Sequence, residues 1–169
     1  SDDPVATLVH TPEGEMHFQE FWVAREGEPE VQEVEFRGAA EADPAPGVEE
    51  ALSDPVVVGP SNPVAGIGPM VAVDGIARAL RETTVVVVSP FLDDEAFSGP
   101  AIEMMEAVGA EAGTPGLPRT YPFADAFVLD ESDDTEFDVP TVRTDVEIDG
   151  PEDAARVMRA TKQALERVQ

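Results

Sequence analysis

The sequence predicts an α/β fold: a three-layer, Rossmann-like arrangement around a mostly parallel sheet, preceded by an antiparallel strand segment. Three observations predict it. First, the β-branched runs Val56-Val57-Val58 and Val85-Val86-Val87-Val88 alternate with helical patterns from residue 54 onward. A run that is apolar on both faces suits a parallel strand covered on both sides. Alternation of such strands with helices implies parallel pairing through right-handed crossovers. Second, residues 15–37 alternate apolar and polar positions, the pattern of half-buried antiparallel strands. Third, 169 residues, 42% of them hydrophobic, suit one domain with a real core. The expected organisation is a single unit over 1–169, with antiparallel strands in 1–38 and the α/β portion in 54–169.

Each element follows from local chemistry. After Ser1-Asp2-Asp3-Pro4 a strand is expected over 5–9. Met16, Phe18, Phe21 and Val23, then Val31, Val34 and Phe36 beyond Gly27-Glu28-Pro29, give two or three more strands. Residues 39–47 form a small-residue, proline-rich connector, and a short helix opens at Asp43 or Pro44 and runs to 52. A buried strand over 55–59 ends in Gly-Pro, 63–68 is a loop, and 70–80 reads as one helix. The next buried strand is 83–88, ended by Ser89-Pro90. Gly99-Pro100 opens a helix to about residue 108, because proline suits the first helical turn. A Gly/Pro loop spans 111–118. Strands occupy 126–129 and 139–142. Gly150-Pro151-Glu152-Asp153 opens the last helix, 154–168, with proline and acids at its positive end.

Charge excludes several functions. There are 36 acidic residues against 10 basic ones, for a net charge of -26, and Lys162 is the sole lysine. Such a surface repels itself in dilute buffer, whereas in molar salt the Debye length falls to roughly 3 Å. A salt-adapted cytoplasm is the expected setting. A nucleic-acid partner would need cations at phosphates, and an anionic membrane surface would repel this chain as well. No stretch approaches the roughly 20 apolar residues of a spanning helix, and no signal peptide is evident. Without cysteine there are no disulfides or thiolate metal sites, and His10 and His17 are too few for a histidine cage.

The segment richest in chemistry is Val56-Val57-Val58-Gly59-Pro60-Ser61-Asn62-Pro63-Val64-Ala65-Gly66-Ile67-Gly68-Pro69. In an open parallel sheet ligands bind beyond the C-terminal strand ends, and this loop leaves such an end. Gly59, Gly66 and Gly68 permit close backbone approach, Ser61 and Asn62 supply polar groups, and backbone N–H groups before a helix favour phosphate. Neither a Walker lysine nor G-x-G-x-x-G occurs. The expected nucleotide or phosphate contacts are Gly59, Pro60, Ser61, Asn62, Pro63 and, from the neighbouring strand, Ser89. The runs Asp93-Asp94-Glu95 and Asp130-Glu131-Ser132-Asp133-Asp134 lack EF-hand spacing and read as solvated loops. Phe18, Phe21 and Trp22 read as core or subunit contacts rather than ring-stacking residues, with Phe18 and Trp22 on one strand face and Phe21 on the other. His17 has no evident partner that would make it a base, and Met104 and Met105 read as helix core.

Gly59-Pro60-Ser61-Asn62-Pro63, Ile67-Gly68-Pro69 and Val73-Asp74-Gly75-Ile76 together resemble the signature of the 2-phospho-L-lactate transferase family. His17-Phe18-Gln19-Glu20-Phe21-Trp22-Val23 is similar to a second family segment. Val88-Ser89-Pro90, Gly99-Pro100-Ala101 and Met104-Met105 are similar to a third, and Ala126-Phe127-Val128-Leu129-Asp130 to a late strand. The resemblance implies transfer of a 2-phospholactyl (or enolpyruvyl phosphate) group from a guanosine diphosphate derivative to 8-hydroxy-5-deazaflavin riboside. GMP leaves, Mg²⁺ assists, and the product belongs to coenzyme F-420 biosynthesis. The family's early glycine-rich segment has no counterpart here, so the chain resembles the C-terminal part of that enzyme, and the resemblance implies a partial domain, half of a doubly wound sheet. It is expected to be inactive alone, and a homodimer through an unpaired strand edge is compatible with it. Asp2 and Asp3 are the metal candidates, as acids that could reach an ion in a full-length enzyme, and the catalytic residues are not identified. Ser98 stands where the family usually has lysine. The competing reading is a non-catalytic nucleotide-binding relative, like the gluconeogenesis-factor branch, or a structural fragment.

Overall fold

A computed structural model describes every residue except Asp93, Asp94, Phe97, Ser98 and Gln169. The expectations for the 93–95 run and for Ser98 lie outside the described residues, apart from the Glu95 backbone. In chain order the elements begin with β1 (Ala6–Thr11), β2 (Gly14–His17), β3 (Glu33–Arg37), α1 (Val48–Ala51) and β4 (Val56–Val58). Next come α2 (Gly68–Val71), α3 (Asp74–Glu82), β5 (Val85–Val88), β6 (Phe91–Leu92), β7 (Glu95–Ala96) and α4 (Ala101–Ala107). The chain ends with α5 (Leu117–Thr120), β8 (Ala126–Leu129), β9 (Thr141–Arg143) and α6 (Pro151–Val168).

The fold class is the expected one. β4, β5, β8 and β9 form a wholly parallel sheet in that order, and β2, β1 and β3 form a separate antiparallel sheet with β1 in the middle. Successive strand residues point to opposite faces, so the valines of β5 divide between two cores. Val85 and Val87 join Val58, Met104, Met105, Leu117, Phe127 and Leu129. Val86 and Val88 join Ala126, Val128 and Val142 beneath Val157, Ala160 and Ala164 of α6. Each fully buried valine contributes roughly 2 kcal/mol through removal of apolar surface from water. The antiparallel sheet closes the first face, because Val9, Met16 and Phe21 belong to that same core.

Three expectations need correction. Residues 20–24 are a π-type turn, not a strand: the Arg25 N–H donates to the Glu20 carbonyl at 3.1 Å. The supposed strand faces therefore do not exist. Phe21 is fully buried against Phe18, with ring centroids 6.4 Å apart, while Trp22 keeps 41% of its surface exposed. The helix expected over 70–80 is two helices bent by 93°, because Val73 adopts an extended conformation between them. The strand at 55–59 is not buried on both sides. β4 is an edge strand, and Val57 is 44% exposed. No single helix among the described residues is long and apolar enough to cross a membrane.

Candidate functional site at the parallel strand ends

The C-terminal ends of β4, β5, β8 and β9 lie side by side, at Val58, Val88, Leu129 and Arg143. The residues leaving each strand define the site. In β4 the Val56 N–H donates to the Thr84 carbonyl. Alternation then aims the N–H of Val58 at β5, and after it the position of Pro60, which has no N–H. Proline therefore ends the β4 ladder, and the chain leaves the sheet as an exposed Gly59-Pro60-Ser61 segment.

Asn62 governs the next turn. Its side-chain Oδ1 accepts from the N–H groups of Val64 and Ala65, both at 2.9 Å. Its carbonyl accepts from Gly66 at 2.9 Å and Ile67 at 3.1 Å, which makes residues 63–67 a second π-type turn. The loop expected over 63–68 is thus ordered helical backbone running directly into α2. Pro63 fits the first position because it needs no acceptor. These bonds correct the expected chemistry in one respect. The N–H groups that would have faced a phosphate are taken up by Asn62 itself. Its amide Nδ2 lies 3.9 Å from the Met104 sulfur, so only a weak contact holds that donor.

Ser61 is the polar side chain this architecture leaves free. It is exposed, and its hydroxyl and N–H have no protein partner among the described residues. Its side chain lies over Gly66, where an added Cβ would collide with the Ser61 Oγ. Gly68 is likewise covered by the Phe36 ring of β3. An apolar cleft of about 250 Å³ lined by Phe36, Pro63, Val64, Ile67 and Val71 borders this side of the loop. The antiparallel sheet thereby reaches the loop through Phe36. π-type turns occur often at functional sites, and the two among the described residues, Glu20–Ala24 and Pro63–Ile67, overlap segments that carry the family resemblance.

Ser89 comes directly after β5, next to the β4 end as expected, but it is 0% exposed. Its Oγ accepts from the Phe91 N–H at 3.1 Å, and its own N–H donates to the Val128 carbonyl at 2.8 Å. It shapes the turn after β5 and presents no surface to a ligand.

Asp130 comes directly after β8, and its sequence context suggests a solvated run. It is buried instead. Oδ1 accepts from the Ser132 N–H at 2.9 Å and from the Ser132 hydroxyl, and Oδ2 accepts from the Val146 N–H at 3.2 Å. Burial pushes this carboxyl upward, but the donors from Ser132, Val146 and Glu131 outweigh it and hold the group below the usual carboxylate range. Asp133 is also buried, and its Oδ2 has no partner. The signal available in sequence was position: an acid immediately after a buried strand.

The metal candidates are not gathered at the strand ends. Asp2 and Asp3 are exposed, and Asp3 Oδ2 accepts from the Asp43 N–H at 3.0 Å, pinning the start of the chain to the connector. Among the described residues, the group of three potential ligands is His10, Glu15 and Glu35 on the antiparallel sheet. There the Arg37 guanidinium bonds both carboxylates at 2.6–2.9 Å. Its hydrogen bonds hold Glu15 and Glu35 below the ordinary carboxylate range. A cation would have to displace Arg37. The described residues therefore do not assemble a Mg²⁺ ligand set beside Ser61.

A family model described as 2-phospho-L-lactate transferase CofD matches residues 1–165. The 2-phospho-L-lactate transferase of Haloarcula marismortui is 59% identical over 168 residues, covering 99% of this chain and 51% of the relative. The protein of that name from Halobacterium salinarum is 59% identical over 166 residues, covering 98% of this chain and 49% of the relative. That of Methanopyrus kandleri is 43% identical over 174 residues, covering 98% of this chain and 56% of the relative. The chain spans about half the length of the curated relatives it matches.

Proposed function

The chain belongs to the 2-phospho-L-lactate transferase (CofD) family, and on that premise we propose that it supplies the donor-diphosphate loop of such an enzyme. The donor is a guanosine diphosphate derivative carrying 2-phospholactate or its enolpyruvyl relative. The acceptor is 8-hydroxy-5-deazaflavin riboside, in a cytoplasmic step of coenzyme F-420 biosynthesis. The acceptor's ribityl oxygen forms a bond to the lactyl-bearing phosphorus. The bond from that phosphorus to the bridging oxygen breaks, GMP leaves with the electron pair, and the hydroxyl proton passes to solvent or a base. Catalysis of this kind rests on positioning and charge neutralisation.

The observation that carries the reading is the exposed, unpartnered Ser61 hydroxyl beyond the proline-terminated end of β4. Ser61 donates to a phosphate oxygen, with Gly59 and Pro60 forming the adjoining wall. Asn62 and Pro63 hold the turn from behind, through the bonds Asn62 accepts, and Ser89 supports the neighbouring strand end. No step is assigned to magnesium: an ion arriving with the donor would draw its ligands from the diphosphate and from the rest of a full-length protein. Catalysis by these 169 residues alone is not expected, and homodimerisation belongs to the same reading only as a way to cover the β4 edge.

The test is calorimetric titration of GDP with Mg²⁺ into this chain and into a full-length protein, in roughly molar KCl to screen the charge. Ser61→Ala is expected to weaken binding by about tenfold, the value of one hydrogen bond to a charged group. Unchanged affinity in the full-length variant would remove Ser61 from the site. Binding by the full-length protein but not by the folded chain would make this portion a scaffold.

A further inference from the structure

We propose that the groove between β9 and α6 is an anion site for a phosphoryl group, separate from the loop after β4. Val142, Arg143 and Thr144 line one side of this cleft of about 490 Å³, and Arg156, Arg159 and Lys162 line the other. Four of the chain's 10 cationic residues, including its sole lysine, meet here in a protein of net charge -26.

Clustering, rather than neutralisation alone, sets this groove apart, because Arg81, Arg119 and Arg167 likewise have no carboxylate within 4.0 Å among the described residues but do not line this cleft. Arg25, Arg37 and Arg78 each pair with glutamates at 2.6–2.7 Å. In the groove Arg156 pairs with Asp145 at 2.9 Å and with Asp153 at 2.6 Å. Arg143, Arg159 and Lys162 have no carboxylate within 4.0 Å among the described residues. Arg143 instead donates to two neutral carbonyls, from Nε to Asp133 and from Nη2 to Thr135, both at 2.6 Å. Those bonds fix the guanidinium plane and leave its charge uncompensated, which suits a planar fork to an oxyanion. Glu166 is the one acid on the cleft wall.

The helix dipole does not account for the pattern. Its effect falls off within the last turn, and Arg159 stands nine residues before the end of α6 at Val168. Nor does the edge of β9 need these cations for shielding, because Arg167 Nη1 already donates to the Thr141 carbonyl at 2.6 Å.

The experiment is titration of inorganic pyrophosphate, inorganic phosphate and a ribose phosphate ester into the isotopically labelled chain, followed by amide chemical shifts. It is run at roughly molar potassium glutamate and again in KCl, so that chloride competition is visible. Saturable shifts centred on 142–144 and 156–163 are expected, weakened at least tenfold by Arg159→Gln with Lys162→Gln. Arg81→Gln, at an exposed arginine on α3, and Ser61→Ala are expected to leave them unchanged. Saturation by phosphate alone identifies a free-anion site, and saturation by the ester alone a phosphoester site. Shifts spread over the surface, or equal loss in Arg81→Gln, would mean general screening and would overturn the proposal. Failure of GDP to bind near Ser61 leaves this result independent.

Discussion

The segments leaving β4 and β8 occupy equivalent positions, at the C-terminal ends of parallel strands one strand apart in the sheet. They do opposite things with their polar groups. After β8, Asp130 is buried and its carboxylate collects donors from Ser132 and Val146, tying the β8 exit to the chain beyond β9. After β4, Asn62 collects the donors, and that internal satisfaction releases Ser61 into solvent. Position in the sheet therefore does not make a residue a ligand contact. What decides is whether the local turn has already used its donors and acceptors.

The largest effect expected from this contrast is at Asp130. Asp130→Asn keeps the shape but loses the charge that strengthens three hydrogen bonds, and should cost about 2–3 kcal/mol in denaturant unfolding at neutral pH. The folded carboxyl sits below its unfolded value, so its contribution is fully present above the unfolded pKa, near 4. It is lost as pH falls through the lower folded value. The gap between wild type and variant should therefore close in strong acid, and a gap independent of pH would show that the charge is not what matters.

A smaller effect is expected at Asn62. Removing an N-cap acceptor costs about 1 kcal/mol, so Asn62→Ala should lower stability by about that much and weaken GDP binding indirectly. Asn62→Asp sharpens the comparison, since it keeps the acceptor and adds a negative charge beside the proposed diphosphate. Stability close to wild type with GDP binding lost is the expected result. Binding retained in both variants would detach the turn from the ligand.

The smallest effect belongs to the exposed Glu15–Arg37–Glu35 ladder. Arg37→Gln should lower the unfolding midpoint in dilute buffer and leave it unmoved in molar KCl, because exposed pairs are weak and salt-screened. An equal loss at both salt concentrations would mean that Arg37 acts by packing.

Much of this molecule was legible in its residues. The valine runs placed β4 and β5, the alternation in 15–37 announced the antiparallel sheet, and Pro151 with its following acids marked the start of α6. The site was legible as a segment but not as a set of contacts. Gly59–Pro63 stood out by composition, yet nothing in the letters showed that Asn62 would face inward and Ser61 outward. Ser89 and Ser61 look alike in sequence, but one is sealed under the β5 turn and the other is free.

By itself the sequence determined the strands of both sheets and the last helix, their pairing mode, the acidic character and the family signature, because these follow from local pattern and composition. The tertiary structure decided which strand became an edge, where the backbone took π-type turns, which acid was buried and which cations stayed unpaired. Those outcomes depend on which groups distant segments bring within hydrogen-bonding reach, as when Val146 meets Asp130 or Phe36 covers Gly68.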